Sequence, residues 1–185
     1  MAYNTSKELR NDVIYSVFVR NYSEEGTFDA VRRDLSRIKA LGTDIIWLMP
    51  IHPCGVKNRK GSLGSPYAIR DYRAVNPEFG TSEDFRHLVE AIHEHGMKCI
   101  IDVVYNHTSP DSVLAKEHPE YFYHKPDGSF GNRIGDWWDV IDLDYSCHDL
   151  WKYQIDTLKM WAGEYRVDGF RCDVAPLVPV AFWKA

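Results

Sequence analysis

No apolar run in the 185-residue sequence approaches the roughly 20 residues that a membrane span needs. No membrane partner is expected. The first ten residues, Met1 to Arg10, are polar, and no secretory signal peptide is read there. Charge of one sign is also lacking: 22 Lys and Arg against 27 Asp and Glu leave a formal net charge of −5. A nucleic-acid partner, which usually meets a basic face, is therefore not expected. No Cys-x-x-Cys pair links Cys54, Cys99, Cys147 and Cys172, which argues against zinc. Four cysteines suffice for two disulfides. However, Cys99 and Cys172 fall in apolar strand-like runs, where a free buried thiol is commoner, so a cytoplasmic location is expected. There is no low-complexity segment. No glycine-rich phosphate turn follows the first strand, because Arg20-Asn21-Tyr22-Ser23-Glu24-Glu25-Gly26 is not G-x-G-x-x-G. That counts against the alternative fold, a small doubly wound sheet.

What is present is a globular composition, 44% hydrophobic and 14% aromatic. Short apolar strands alternate with amphipathic helices. A first strand is expected over Val13–Val19, rich in β-branched and aromatic residues. Thr27 then caps a helix whose apolar face is Phe28, Val31, Leu35, Ile38 and Leu41, closed by Gly42. A second strand covers Asp44–Pro50, followed by a polar loop from Ile51 to Gly80. Thr81 or Ser82 caps a second helix with Phe85, Leu88, Val89 and Ile92 inward and Gly96 at its end. The third strand is Lys98–Val104. About 40 aromatic-rich residues intervene before the next helix, too many for a simple loop. That helix runs from His148 to Gly163, with Leu150, Tyr153, Ile155, Leu158 and Trp161 apolar, and the fourth strand is Val167–Asp173.

Alternation of this kind implies a parallel sheet with covering helices. The expected fold is α/β: the first four units of a (β/α)8 barrel with a small domain inserted after the third strand. The expected division is barrel over 1–106, insertion over 107–146 and barrel again over 147–185. In such a barrel the carboxyl ends of the strands share one face, where active sites form. Asn106 and His107 follow the third strand, and Arg171 and Asp173 close the fourth. An Arg two residues before an Asp on one strand points to the same side and can hold it ionised.

These residues carry a resemblance. Asp102-Val103-Val104-Tyr105-Asn106-His107 resembles the D-x-x-x-N-H motif of the α-amylase family of glycoside hydrolases. Gly169-Phe170-Arg171-Cys172-Asp173 resembles its G-x-R-x-D motif. The strand-two segment Gly42–Pro50, the loop Tyr67–Tyr72 with Pro77–Thr81, and Val140–Asp144 are similar to three further motifs, in the family's order. The resemblance implies a retaining enzyme acting on α-glucosidic bonds of an α-glucan or malto-oligosaccharide through a covalent glycosyl-Asp. It implies Asp173 as nucleophile and Arg171 as the group that aligns it. His107 would bond the sugar hydroxyls, Tyr67 would stack under the ring, and Asp102 would stand behind the site. Calcium is the one cofactor it suggests, with Asn106 and Asp142 as ligands. Pro176 and Leu177 stand where many α-amylases carry Lys-His, which counts against the usual calcium site.

The family's general acid, a Glu after a fifth strand, has no counterpart among these residues. The 185-residue chain is accordingly expected to be inactive alone. Its partner would be the missing second half of the barrel or another copy. Transfer or isomerisation within the same family is the alternative chemistry. A non-catalytic amylase-like partner module is the alternative of another class.

Overall fold

The computed structural model describes residues 6–185. The polar opening stretch 1–10 thus falls partly outside the described residues, and its remainder forms a 3-10 turn over Lys7–Arg10. Four strands form one parallel sheet: β1 (Ile14–Val17), β2 (Ile45–Leu48), β3 (Lys98–Val103) and β6 (Gly169–Cys172), in that order. Seven helices accompany them among the described residues. These are α1 (Val19–Tyr22), α2 (Phe28–Arg33), α3 (Leu35–Ala40), α4 (Ser82–Glu94), α5 (Val113–Glu117), α6 (His148–Glu164) and α7 (Val180–Lys184). This is the partial barrel that the alternation predicts.

The sheet has two unlike faces because side chains alternate along a strand. Tyr15, Val17, Ile46, Leu48, Cys99 and Ile101 pack under the helices, against Val31, Leu35, Phe85, Leu88 and Trp161. The other face carries Ser16, Trp47, Asp102 and Arg171. Burying the first set removes several hundred Å² of apolar surface from water, at roughly 25 cal/mol per Å². Helix α4 starts at a capping box: the Thr81 hydroxyl accepts from the Asp84 N–H, while the Asp84 carboxylate accepts from the Thr81 N–H.

Several boundaries differ from the pattern. The first strand stops at Val17, since Phe18 caps α1 and Val19 begins it. The helix expected from Thr27 to Leu41 breaks at Asp34, whose φ of −102° and ψ of 3° leave the helical range. Its carboxylate is held by the Tyr22 hydroxyl and by Arg37. Leu41, expected inward, lies just past α3 and is 59% exposed. In α6 the buried stripe is Leu150, Gln154, Thr157 and Trp161, whereas Tyr153, Ile155 and Leu158 are only half-buried. All four cysteines are free, and Cys172 is half-buried instead of buried.

Between β3 and α6 lies a small unit of its own. A two-stranded antiparallel ribbon pairs β4 (His107–Thr108) with β5 (Ile141–Asp142). A second apolar cluster joins it to the barrel through Tyr72, Tyr105, Leu114, Phe122, Leu143 and Phe182. The Tyr72 hydroxyl sits 2.6 Å from the Val104 carbonyl and 2.8 Å from that of His107, at the root of the insertion. The loop after β2 presses on the same unit. A Cβ at Gly55 would meet the Ser109 Cβ at 2.1 Å, so only glycine fits there. Beside it, the Asp111 carboxylate accepts from the N–H groups of Val56 and Lys57.

Candidate active site

Asp102 on β3 and Arg171 on β6 are register partners across a parallel ladder, on the face without helices. Arg171 Nη1 donates to Asp102 Oδ2 at 3.1 Å and to Asp173 Oδ1 at 2.7 Å. Its Cζ lies 5.1 Å from the centre of the Trp47 ring, which reaches across from β2, two strands away. Asp173 follows β6 directly, and its N–H donates to the Val103 carbonyl at 2.9 Å. The ladder therefore reaches one residue past the strand and fixes the Asp173 backbone. Val174 then turns the chain sharply in the left-handed region, with φ 39° and ψ 38°. That conformation is costly for a β-branched residue and recurs where a site is held under strain.

Burial sets the electrostatics. The Asp102 side chain has no exposed surface, and burial pushes its carboxyl up to about 6 despite the pull of Arg171. Burial works against the Arg171 charge too, but the two carboxylates outweigh it and hold the guanidinium charged. Tyr67 puts its hydroxyl 3.4 Å from Asp102 Oδ2, at the long limit of a hydrogen bond. Burial pushes that phenol up to about 12. His107 is 4% exposed, and burial lowers its ring to about 4, so it is neutral at pH 7. Its Nδ1 lies 3.1 Å from Asn106 Nδ2. With the amide donating, Nδ1 accepts and Nε2 carries the proton.

Tyr67, His107, Trp137, Asp139 and Asp173 line one cleft of about 250 Å³, with Lys60 at its edge. The Trp137 ring stands 5.3 Å from the His107 ring, tilted at 65°. The structure thus brings Asp173, Arg171, Asp102, Tyr67 and His107 together. Asn106 stands beside them, under His107. Asp142 is paired with His107 across the β4–β5 ribbon.

The Asn106 and Asp142 side chains by themselves are too few to make a calcium cage. Calcium takes 6–8 oxygen ligands. Asp142 Oδ1 is buried without a partner, but Oδ2 already accepts from the Arg133 N–H and lies 3.6 Å from Arg133 Nη1. A guanidinium thus already stands beside this carboxylate. Among the described residues no cluster of three or more His, Cys, Asp or Glu side chains could hold a metal ion.

Four contributors escaped the sequence reading. Trp47 sits inside the strand-two motif, and its period-2 placement on the helix-free face was the available signal. Lys60 and Asp139 form an ion pair of 2.8 Å on the cleft wall, joining segments 79 residues apart. Nothing local in the sequence marks that pair. The backbone of Val174 has no sequence signal, because glycine or asparagine would be expected there.

Comparison with known proteins adds the following. A family model described as the alpha amylase catalytic domain matches residues 12–182. An alpha-1,4-glucan:maltose-1-phosphate maltosyltransferase of Pseudomonas aeruginosa is 37% identical, over 92% of this chain and 29% of its own length. The Myxococcus xanthus protein of that description is 35% identical, over 96% of this chain and 30% of its own. Among solved structures, an alpha-amylase from Lactobacillus plantarum matches at 66% identity and a TM-score of 0.93, covering 95% of this chain and 41% of that one. A maltogenic alpha-amylase from Thermotoga neapolitana matches at 45% and 0.90, over 95% and 42%. The chain spans about 30% of the length of the curated relatives and about 40% of the solved ones.

Proposed function

The chain belongs to the alpha-amylase family, and we propose that it supplies the nucleophilic half of an enzyme that cleaves α-glucosidic bonds with retention. The observation that carries this reading is the 2.7 Å contact between Arg171 Nη1 and Asp173 Oδ1, on the wall of an aromatic-lined cleft. Asp173 attacks the anomeric carbon of the bound glucosyl unit. The C1–O bond breaks, and a covalent glycosyl-Asp173 ester forms. The leaving oxygen takes a proton from a second carboxyl group, which retaining enzymes hold about 5–5.5 Å from the nucleophile. Water then attacks C1, gives its proton to that second carboxylate and frees Asp173.

Each neighbour has a task in that sequence. Arg171 keeps Asp173 ionised and aims it. Asp102 fixes Arg171 from behind. His107 donates from Nε2 to a sugar hydroxyl, and Tyr67 lays its ring against the sugar. The substrate is an α-glucan or malto-oligosaccharide, in line with the names of the relatives. Hydrolysis is the leading outcome. Transfer to another sugar or to phosphate is the second reading, favoured by the maltosyltransferase relatives. The four free thiols support a cytoplasmic setting.

The test is covalent trapping in the full natural protein that carries this chain. A slow fluorinated α-glucosyl fluoride is expected to label the peptide holding Asp173. A label on another residue, or none, overturns the reading. Products from maltotriose, with and without added acceptor or phosphate, separate hydrolysis from transfer.

A further inference from the structure

The turn Trp137–Val140 is closed by the Val140 N–H donating to the Trp137 carbonyl at 3.3 Å. It has two working sides. Trp137 and Asp139 line the cleft that holds Asp173. Trp138 lines a second, larger groove of about 740 Å³, and Val140 borders both. The turn is therefore a shared wall between two neighbouring depressions.

The second groove is open and mixed in character. Lys57, Asn58, His124 and Asn132 bring hydrogen-bonding groups, and Phe130 and Trp138 bring aromatic surface. Trp138 is 63% exposed, an unusual state for a tryptophan unless it is used. Its orientation is nonetheless fixed. Lys60 Nζ stands 4.5 Å from the ring centre while bonding Asp139 at 2.8 Å. The ammonium stands over the indole while most of the residue stays exposed. A held aromatic plate beside neutral and cationic donors matches a sugar, whose apolar ring face stacks and whose hydroxyls take hydrogen bonds. It gives little grip to a purely apolar ligand.

We propose that this groove is a second carbohydrate site, in which Trp138 stacks under glucosyl units of the same α-glucan whose other units occupy the cleft. The proposal rests on the α-glucan reading given above. The shared Val140 sets the two depressions on either side of one turn. The groove therefore adds affinity for chains long enough to leave the cleft and contributes nothing to short ones.

The test uses the full natural protein with Trp138→Ala and Trp138→Phe. Trp138→Ala is expected to raise KM for a soluble long-chain α-glucan about tenfold, the scale of one lost stacking contact. The kcat/KM for maltotriose is expected to stay within about twofold, which also reports that the variant is folded. Trp138→Phe is expected to restore most of the polymer KM. An unchanged polymer KM in Trp138→Ala overturns the proposal, as when the rest of the protein covers the ring. An equal loss on polymer and maltotriose also overturns it, because the wall then serves the cleft alone. Native electrophoresis through gels containing amylopectin keeps the two readings separable. A wild-type protein that cleaves no α-glucan sinks the catalytic reading. In those gels, retardation that Trp138→Ala abolishes supports the groove by itself, and equal mobility with and without amylopectin sinks it.

Discussion

Asp102 and Arg171 face each other across the β3–β6 ladder, and the guanidinium nitrogen that reaches Asp102 at 3.1 Å also reaches Asp173 at 2.7 Å. One nitrogen thus links a carboxylate sealed inside the sheet to a carboxylate in the cleft. The inner acid sees 0% of solvent and the outer one 13%. The asymmetry fits the proposed roles, with Asp102 as anchor and Asp173 as the attacking group.

Asp173→Asn in the full natural protein keeps the shape of the side chain and removes the nucleophile. The kcat on maltotriose is expected to fall by about 10⁴-fold, in the range seen for loss of a nucleophile. Circular dichroism should match wild type. A loss below about tenfold would exclude Asp173 as the attacking group.

Arg171→Met leaves Asp102 buried without its cation. Breaking a fully buried pair costs about 3–5 kcal/mol. Arg171 keeps 37% of its side chain in water, so about 2–3 kcal/mol is expected here. Urea unfolding measures it. Adding Asp102→Asn should recover part of the loss, and strict additivity of the two substitutions would show that the pair is not coupled.

The pH dependence of stability combines opposing groups. Asp102 titrates near 6 when folded and near 4 when unfolded, so its contribution is full below about 4 and is lost as pH rises towards 6. His107 titrates near 4 when folded and near 6.5 when unfolded, so its contribution is absent at low pH and grows up to about 6.5. Buried His52, also lowered to about 4, acts in the same sense as His107. Between pH 4.5 and 6, Asp102→Asn should therefore make stability rise more steeply than in wild type, and His107→Gln less steeply. Chemical denaturation at four pH values across that window checks both signs.

Gly55→Ala would force a methyl group into Ser109. The overlap is against a short side chain that is itself buried, so the loop or the insertion must shift. A loss of about 1–3 kcal/mol is expected from urea unfolding, typical of overpacking. Gly61→Ala, where nothing stands within 4 Å but φ is 66°, should cost about 1 kcal/mol from the backbone alone.

The sequence revealed most where a residue's task is local. Arg171 and Asp173 share a side because strand side chains alternate, and no tertiary knowledge was needed. The Thr81 cap and the inward face of α4 followed equally from spacing. What stayed hidden depends on which side chains and loops meet in the fold. The break at Asp34 needs Tyr22 and Arg37 around one carboxylate. That Arg133 stands beside the Asp142 carboxylate is likewise not marked in the sequence. The Lys60–Asp139 pair and the left-handed Val174 are visible only once the loops are folded over the sheet.

The bond from the Asp173 N–H to the Val103 carbonyl has a thermal consequence. The Asp173 carboxylate hangs from the sheet, while the Trp137–Val140 wall hangs from a turn braced by a surface lysine. Heat loosens turns before it loosens ladders. On warming, the protein should lose its grip on long chains first and its chemistry on short ones last.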